Sequence, residues 1–192
     1  GEDTLSLHDA LPIYFETTVR SINSWLILRL PKNISAKLPS RGMVMVKGTI
    51  NGFPFQTPLE PDGKGSHWFR VDQKLSKAAK AKNGDTAAVA IESSKEWPEP
   101  RLPADVKQAL AANQKVCALW DDITPMARWD WLRWIGATNN PETRKKHIEV
   151  AFSKLKGCER RPCCFNRSMC MVPEVSKNGV FIEPIESITK II

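Results

Sequence analysis

The sequence is poor in the residues that most often mark a reaction. One tyrosine and three histidines occur in 192 residues, and neither His67 nor His147 sits in a His-Glu-x-x-His or comparable ligand spacing. A Gly-rich phosphate loop and a Gly-x-Ser-x-Gly nucleophile elbow are missing as well. The pattern assigns no catalytic residue and no cofactor, so the expectation is a protein without an enzymatic role. Long hydrophobic runs are also lacking. The longest, residues 25–30, contains Arg29 and falls far short of the roughly 20 apolar residues of a membrane-spanning helix. The N-terminus shows no basic region followed by an apolar block. The expected location is therefore the cytoplasm, without a membrane partner.

What is present is an ordinary folded composition: 42% hydrophobic and 26% charged residues exclude disorder throughout. The net charge of +7 is uneven, with 13 Lys and Arg against 11 Asp and Glu over residues 1–100, and 15 against 10 over residues 101–192. The densest basic stretch, residues 141–168, is the expected electrostatic footprint. Residues 1–13 (GEDTLSLHDALPI) resemble a translated sequencing-adapter read of the kind found at the ends of metagenomic gene models. They are set aside as non-native or disordered, and His8 and Asp9 are given no role.

Residues 41–71 organise the first half. A run of high strand propensity over 43–50 meets Asn51-Gly52, a pair that tolerates positive φ in a two-residue hairpin. The return strand, 53–59, contains Pro54 and Pro58 and so belongs at an edge or beside a bulge. A loop at 61–65 leads into a third strand at 66–72. Earlier strands are expected at 14–20 and 25–30, separated by a polar turn at 21–24, with a short helical turn at 33–38. A lysine-faced helix at 72–82, stopped by Asn83-Gly84, precedes a last strand at 85–93. Six short strands and one helix in so short a stretch imply a small β-barrel.

Residues 96–102 hold two prolines and read as a linker. Helical periodicity follows over 103–112 and 114–123. Thr124-Pro125 and Asn140-Pro141 each pair a capping side chain with proline at the first helical position, so they start two further helices, the second ended by Gly157. The class is α+β: a β-barrel domain over 14–95, the linker, about four helices over 103–157, and a Cys/Arg-containing tail over 158–192. In the tail, Val180 to Ile182 after Asn178-Gly179 could add a strand.

The ordered combination of KGTINGFPFQTPLEPDGKGSHWF, GDTAAVAIE, LPADVKQAL and ITPMARWDWLRWIGATNNPETRKKHIEVAFSKLKG resembles a bacterial family of unknown function. That family joins a double-split-type barrel to a helical segment similar to the YdeI/OmpD-associated, bacteriocin-protection type. The resemblance covers residues 14–157. It implies a cytoplasmic stress- or protection-associated protein with no established reaction. Ala137-Thr138 stands where the family usually has Ala-Lys, so no lysine role is carried over there.

Candidate sites follow from the residues themselves. Glu142, Thr143 and Arg144 open a helix, where free backbone N–H groups and a guanidinium favour an anion. With Trp131, read as the exposed member of the set Trp120, Trp129, Trp131 and Trp134, they outline a groove for a protein partner or a small anionic ligand. The alternative partner is nucleic acid, contacted by Arg144, Lys145, Lys146, Arg160, Arg161 and Arg167. Cys158, Cys163, Cys164 and Cys170 invite a metal or reactive-thiol reading. However, paired Cys-x-x-Cys knuckles are absent, so the favoured reading is metal-free, accessible, reduced thiols.

Overall fold

The computed structural model describes residues 11–163 and 166–183. The chain divides into two compact units, the first made of the residues up to Lys95 together with Glu183 and the second spanning Glu96–Ile182.

The first unit is a curled antiparallel sheet of β1 (Ile13–Thr18), β2 (Arg20–Ile22), β3 (Trp25–Arg29), β4 (Val44–Ile50), β5 (Phe53–Pro61), β6 (His67–Val71) and β7 (Thr86–Ser93). Two short helices, α1 (Lys32–Ser35) and α2 (Gln73–Ala78), interrupt it. Strand order is β1-β7-β4-β5-β6-β3-β2, so the two ends of the sheet are consecutive in sequence. The single first strand expected over 14–20 is broken at Val19. Its N–H donates to the Asp85 carbonyl at 2.9 Å and its carbonyl accepts from Gly84 at 2.8 Å. The chain thereby leaves β7 and pairs with β3 instead, which makes seven strands rather than six. The expected polar turn at 21–24 shrinks accordingly to a tight reversal around Asn23, which takes φ of 52°. Likewise α2 ends before the Asn83-Gly84 signal, because Lys80 adopts a left-handed conformation with φ of 51°.

The prolines of β5 have a clear place in this topology. β5 pairs with β4 from Phe53 to Leu59 but with β6 only at Glu60 and Pro61. Pro54 and Pro58 therefore lie where the strand carries one ladder, and their missing N–H groups cost nothing there. The interior face is apolar: Val46, Ile50, Leu59, Phe69, Ala87 and Ile91 are buried, and Phe55 stacks on Phe69 with centroids 5.2 Å apart. Each fully buried large side chain contributes about 1.5–3 kcal/mol.

Two buried polar groups tie the loops to this core. Asp62 closes its own loop, accepting from the N–H groups of Lys64 (2.7 Å) and Ser66 (2.8 Å) and from Arg29 Nη2 (2.6 Å). Burial alone pushes the Asp62 carboxyl up, but these donors outweigh it and hold the group below the ordinary carboxylate range. The stability it contributes is present above the unfolded-state value and is lost as pH falls through the lower folded one. His67 is buried and bonded on both nitrogens, to Ser35 Oγ at 2.6 Å and to the Gly42 carbonyl at 2.8 Å. The carbonyl can only accept, so Nε2 carries a proton.

The second unit packs α3 (Ala104–Ala111), α4 (Gln114–Asp122), α5 (Pro125–Ile135) and α6 (Pro141–Lys156) around one core. Asn113, Thr124 and Asn140 cap α4, α5 and α6, accepting from the N–H groups of Val116 (3.2 Å), Ala127 (3.2 Å) and Thr143 (2.9 Å). Each such cap is worth about 1 kcal/mol. Beyond α6 the chain forms a hairpin of β8 (Ser176–Lys177) and β9 (Val180–Phe181) around Asn178-Gly179, with Cys170, Val175 and Phe181 buried.

The tightest steric constraint in the sheet is at Gly48, where a Cβ would lie 1.9 Å from the carbonyl oxygen of Ala90 in β7. Backbone cannot yield as a flexible side chain does, so β4 and β7 would have to separate. Gly48→Ala is expected to lower the unfolding free energy by about 3 kcal/mol in a urea titration, in line with overpacked cores. Lys47→Ala beside it should change stability by less than about 0.5 kcal/mol.

Candidate ligand groove

On the second unit, α3 and α6 enclose an open groove of about 680 Å³. The sequence builds it from helical spacing. Val106 and Leu110 turn into the core from α3, as do Ile148, Ala151, Phe152 and Leu155 from α6. The neighbouring stripe of α3 and its C-cap is left with the small side chains Ala109 and Ala112. Two alanines cannot fill the space beside Ile148 and Phe152, so the apolar floor stays open. Gln108, Lys145 and Glu149 stand along the rim.

Arg144 and Asp105 bridge the two helices in this groove, with Nε–Oδ2 at 2.6 Å and Nη2–Oδ1 at 3.1 Å. The bidentate guanidinium holds the Asp105 carboxyl below its ordinary value, against a smaller opposing effect of burial. Asp105 went unremarked in the sequence, where it is one acidic residue in the first turn of a helix. Only the α3–α6 packing identifies it as the partner of Arg144. Lys145 and Glu149 make no ion pair among the described residues, so the rim carries one free cation and one free anion.

The structure divides the sequence-derived sites. Arg144 and Lys145 line the groove; Glu142 and Thr143 lie outside its lining, exposed on the first turn of α6, with the Thr143 N–H already taken by the Asn140 cap. Trp131, expected to be exposed, is fully buried. Its ring meets Trp134 edge-on at 6.0 Å and its Nε1 donates to the Arg160 carbonyl at 3.3 Å. Its burial comes from partners distant in sequence: α6 packs against α5, and the chain after α6 supplies the Arg160 carbonyl.

Three of the six basic candidates, Arg144, Arg160 and Arg161, are paired with carboxylates. Arg160 Nη1 pairs with Asp122 at 2.7 Å. Arg161 holds the buried Asp130 through both Nε, at 2.8 Å, and Nη2. Lys146 and Arg167 are exposed. Arg133 is buried and donates to the Met169 carbonyl at 2.7 Å, fastening the tail to α5.

The cysteines do not behave alike. Cys158 and Cys163 are exposed, and Cys163 Sγ lies 3.2 Å from Lys154 Nζ. Cys170 is buried, against the expectation that every tail thiol is accessible, because its N–H bonds the Gly179 carbonyl at 2.8 Å and places it under the hairpin. Cys164 lies outside the described residues. No group of three or more His, Cys, Asp or Glu side chains positioned for a metal occurs among the described residues, and none of their helices is long and apolar enough to cross a membrane.

The Arg144–Asp105 pair is half exposed, so solvent screening limits its worth to about 1 kcal/mol or less. Arg144→Ala should lower the melting temperature by only a few degrees at pH 7. Because the folded Asp105 carboxyl is depressed, the pair's contribution is present above the unfolded value of about 3.9 and is lost as pH falls through the lower folded one. The difference between wild type and variant should therefore shrink in acid, as followed by thermal melts at pH 7 and pH 3. A large loss at neutral pH would instead make Arg144 a structural residue.

Comparison with known proteins agrees with this division of the chain. No curated protein matches it. Residues 15–91 match the family described as a domain of unknown function, DUF1905, a span that runs from β1 into β7. Residues 99–157 match the family described as bacteriocin-protection, YdeI or OmpD-associated, a span that contains α3 to α6 and with them both walls of the groove. The chain thus pairs a region that matches the DUF1905 family with a C-terminal region that matches the YdeI/OmpD-associated family.

Proposed function

We propose that this is a cytoplasmic, non-enzymatic binding protein with a protective role, and that the groove between α3 and α6 receives its partner. The observation that carries the reading is the open apolar floor of Ala109, Ala112, Ile148 and Phe152 beside a cross-helix ion pair. Sites that recognise ligands are concave, mostly apolar and edged by a few placed polar groups. The description of the family matched by α3 to α6 points the same way. An anion could still use Arg144, but it would have to displace Asp105. That competition favours an apolar segment of a protein over a small anionic ligand.

Nucleic acid is the weaker partner on the same geometry. Phosphate binding draws on cations free to exchange their counterions, and Arg144, Arg160 and Arg161 are already engaged by Asp105, Asp122 and Asp130. For the first domain we favour the six-stranded, double-split reading, with β1 and β2 taken as one strand bent at Val19.

The groove reading is tested by titrating small apolar alcohols into the full chain and following methyl resonances by NMR. Shifts should concentrate on Ile148, Ala109 and Ala112, and Ala109→Trp should abolish them while the protein stays folded. Shifts that centre instead on a second cavity, lined by Met169, Cys170 and Gly179, or on the first domain, would refute it.

A further inference from the structure

We infer that the occupant of the α3–α6 groove is an amphipathic helix of a partner protein, carrying an acidic and a basic residue one turn apart beside its apolar stripe. The inference rests on the groove reading above and adds the partner's conformation and charge pattern.

Conformation follows from the walls. Both are helices, so their interior backbone N–H and C=O groups are consumed within each helix and offer no ladder to a strand. Their side chains line the groove at helical intervals: Gln108, Ala109 and Ala112 from α3, and Lys145, Ile148 and Phe152 from α6. Ridges at that spacing interdigitate with those of a third helix. The α6 wall from Pro141 to Phe152 is about 16 Å long at 1.5 Å per residue, which accommodates about three helical turns.

Charge follows from the rim. Arg144 and Asp105 neutralise one another across the groove. This leaves Lys145 and Glu149, exposed on successive turns of α6 and without an ion pair among the described residues. A helix seated on the alanine floor meets one free ammonium and one free carboxylate about 6 Å apart along α6. A carboxylate facing Lys145 and an ammonium facing Glu149 complement this rim, and a partner of uniform sign meets one like charge. Gln108 can serve either sign and does not select.

The experiment uses the full chain and three blocked 14-residue peptides sharing one Leu/Ala stripe. Two positions one turn apart beside the stripe carry Glu and Lys, Glu and Glu, or Lys and Lys. Binding is read by titration calorimetry and by the Ile148 and Ala109 methyl resonances. The mixed peptide is expected to bind about fivefold more tightly than either uniform one. Glu149→Lys should transfer the preference to the Glu/Glu peptide, a switch that differences in peptide helicity cannot produce because the peptides are unchanged. Binding of all three with equal affinity, or an unswitched preference in the variant, overturns the inference and leaves the groove reading standing. Failure of every peptide to move the methyl resonances, while apolar alcohols still do, overturns the helix alone. If neither moves them, the groove reading falls too. Inorganic phosphate shifting the Arg144 signals in the absence of peptide binding would put a small anion in place of the helix.

Discussion

The helical domain depends on the burial of one indole. Trp131 sits at the centre of α5, fully enclosed, with Trp134 edge-on against it and its single polar atom bonded to the Arg160 carbonyl. An indole buries more apolar surface than any other side chain, and its N–H needs a partner once water is excluded. The chain after α6 supplies that partner, so the same residue that centres the helices also fixes where the tail begins. Trp134 extends the arrangement by stacking on His147 of α6 at 4.4 Å. With α6 held in this way, the side chains of its next face define one wall of the groove.

Arginine serves this domain as a fastener more than as a surface charge. Arg161 neutralises the buried Asp130, Arg160 grips Asp122, Arg133 reaches into the tail and Arg144 ties α6 to α3. A buried carboxylate such as Asp130 is tolerable only when paired. Much of the positive charge of the C-terminal half thus answers specific carboxylates and carbonyls. The first domain handles its polar interior by the same rule, satisfying Asp62 through Arg29 and two loop N–H groups and His67 through Ser35 and Gly42.

What the sequence made legible was local. Asn51-Gly52 turns the β4–β5 hairpin, and Thr124-Pro125 and Asn140-Pro141 begin α5 and α6, because each signal acts within a few residues of itself. The features that escaped depend on distant partners. The break at Val19 needs Gly84 and Asp85 to receive it. The burial of Trp131 needs α6 and the tail. Of the groove, Arg144 could be named from its place near the start of α6, and Lys145 only as a member of the basic stretch. Asp105 and the alanine floor could not, since they matter only once α3 lies beside α6. Cys170 shows the same limit from the other side: a Cys- and Arg-rich stretch reads as exposed until the Asn178-Gly179 hairpin closes over it.

The claim that a partner occupies the α3–α6 groove is tested most directly by position-specific photo-crosslinking in cells producing the full chain. A benzophenone side chain would replace Ala112, on the groove side of α3, or Lys107, which lines a separate cavity. The account predicts a discrete protein adduct from Ala112, none from Lys107, and loss of the Ala112 adduct when Ala109→Trp fills the floor. Equal adducts from both positions, or an Ala112 adduct that survives the filled floor, would contradict it.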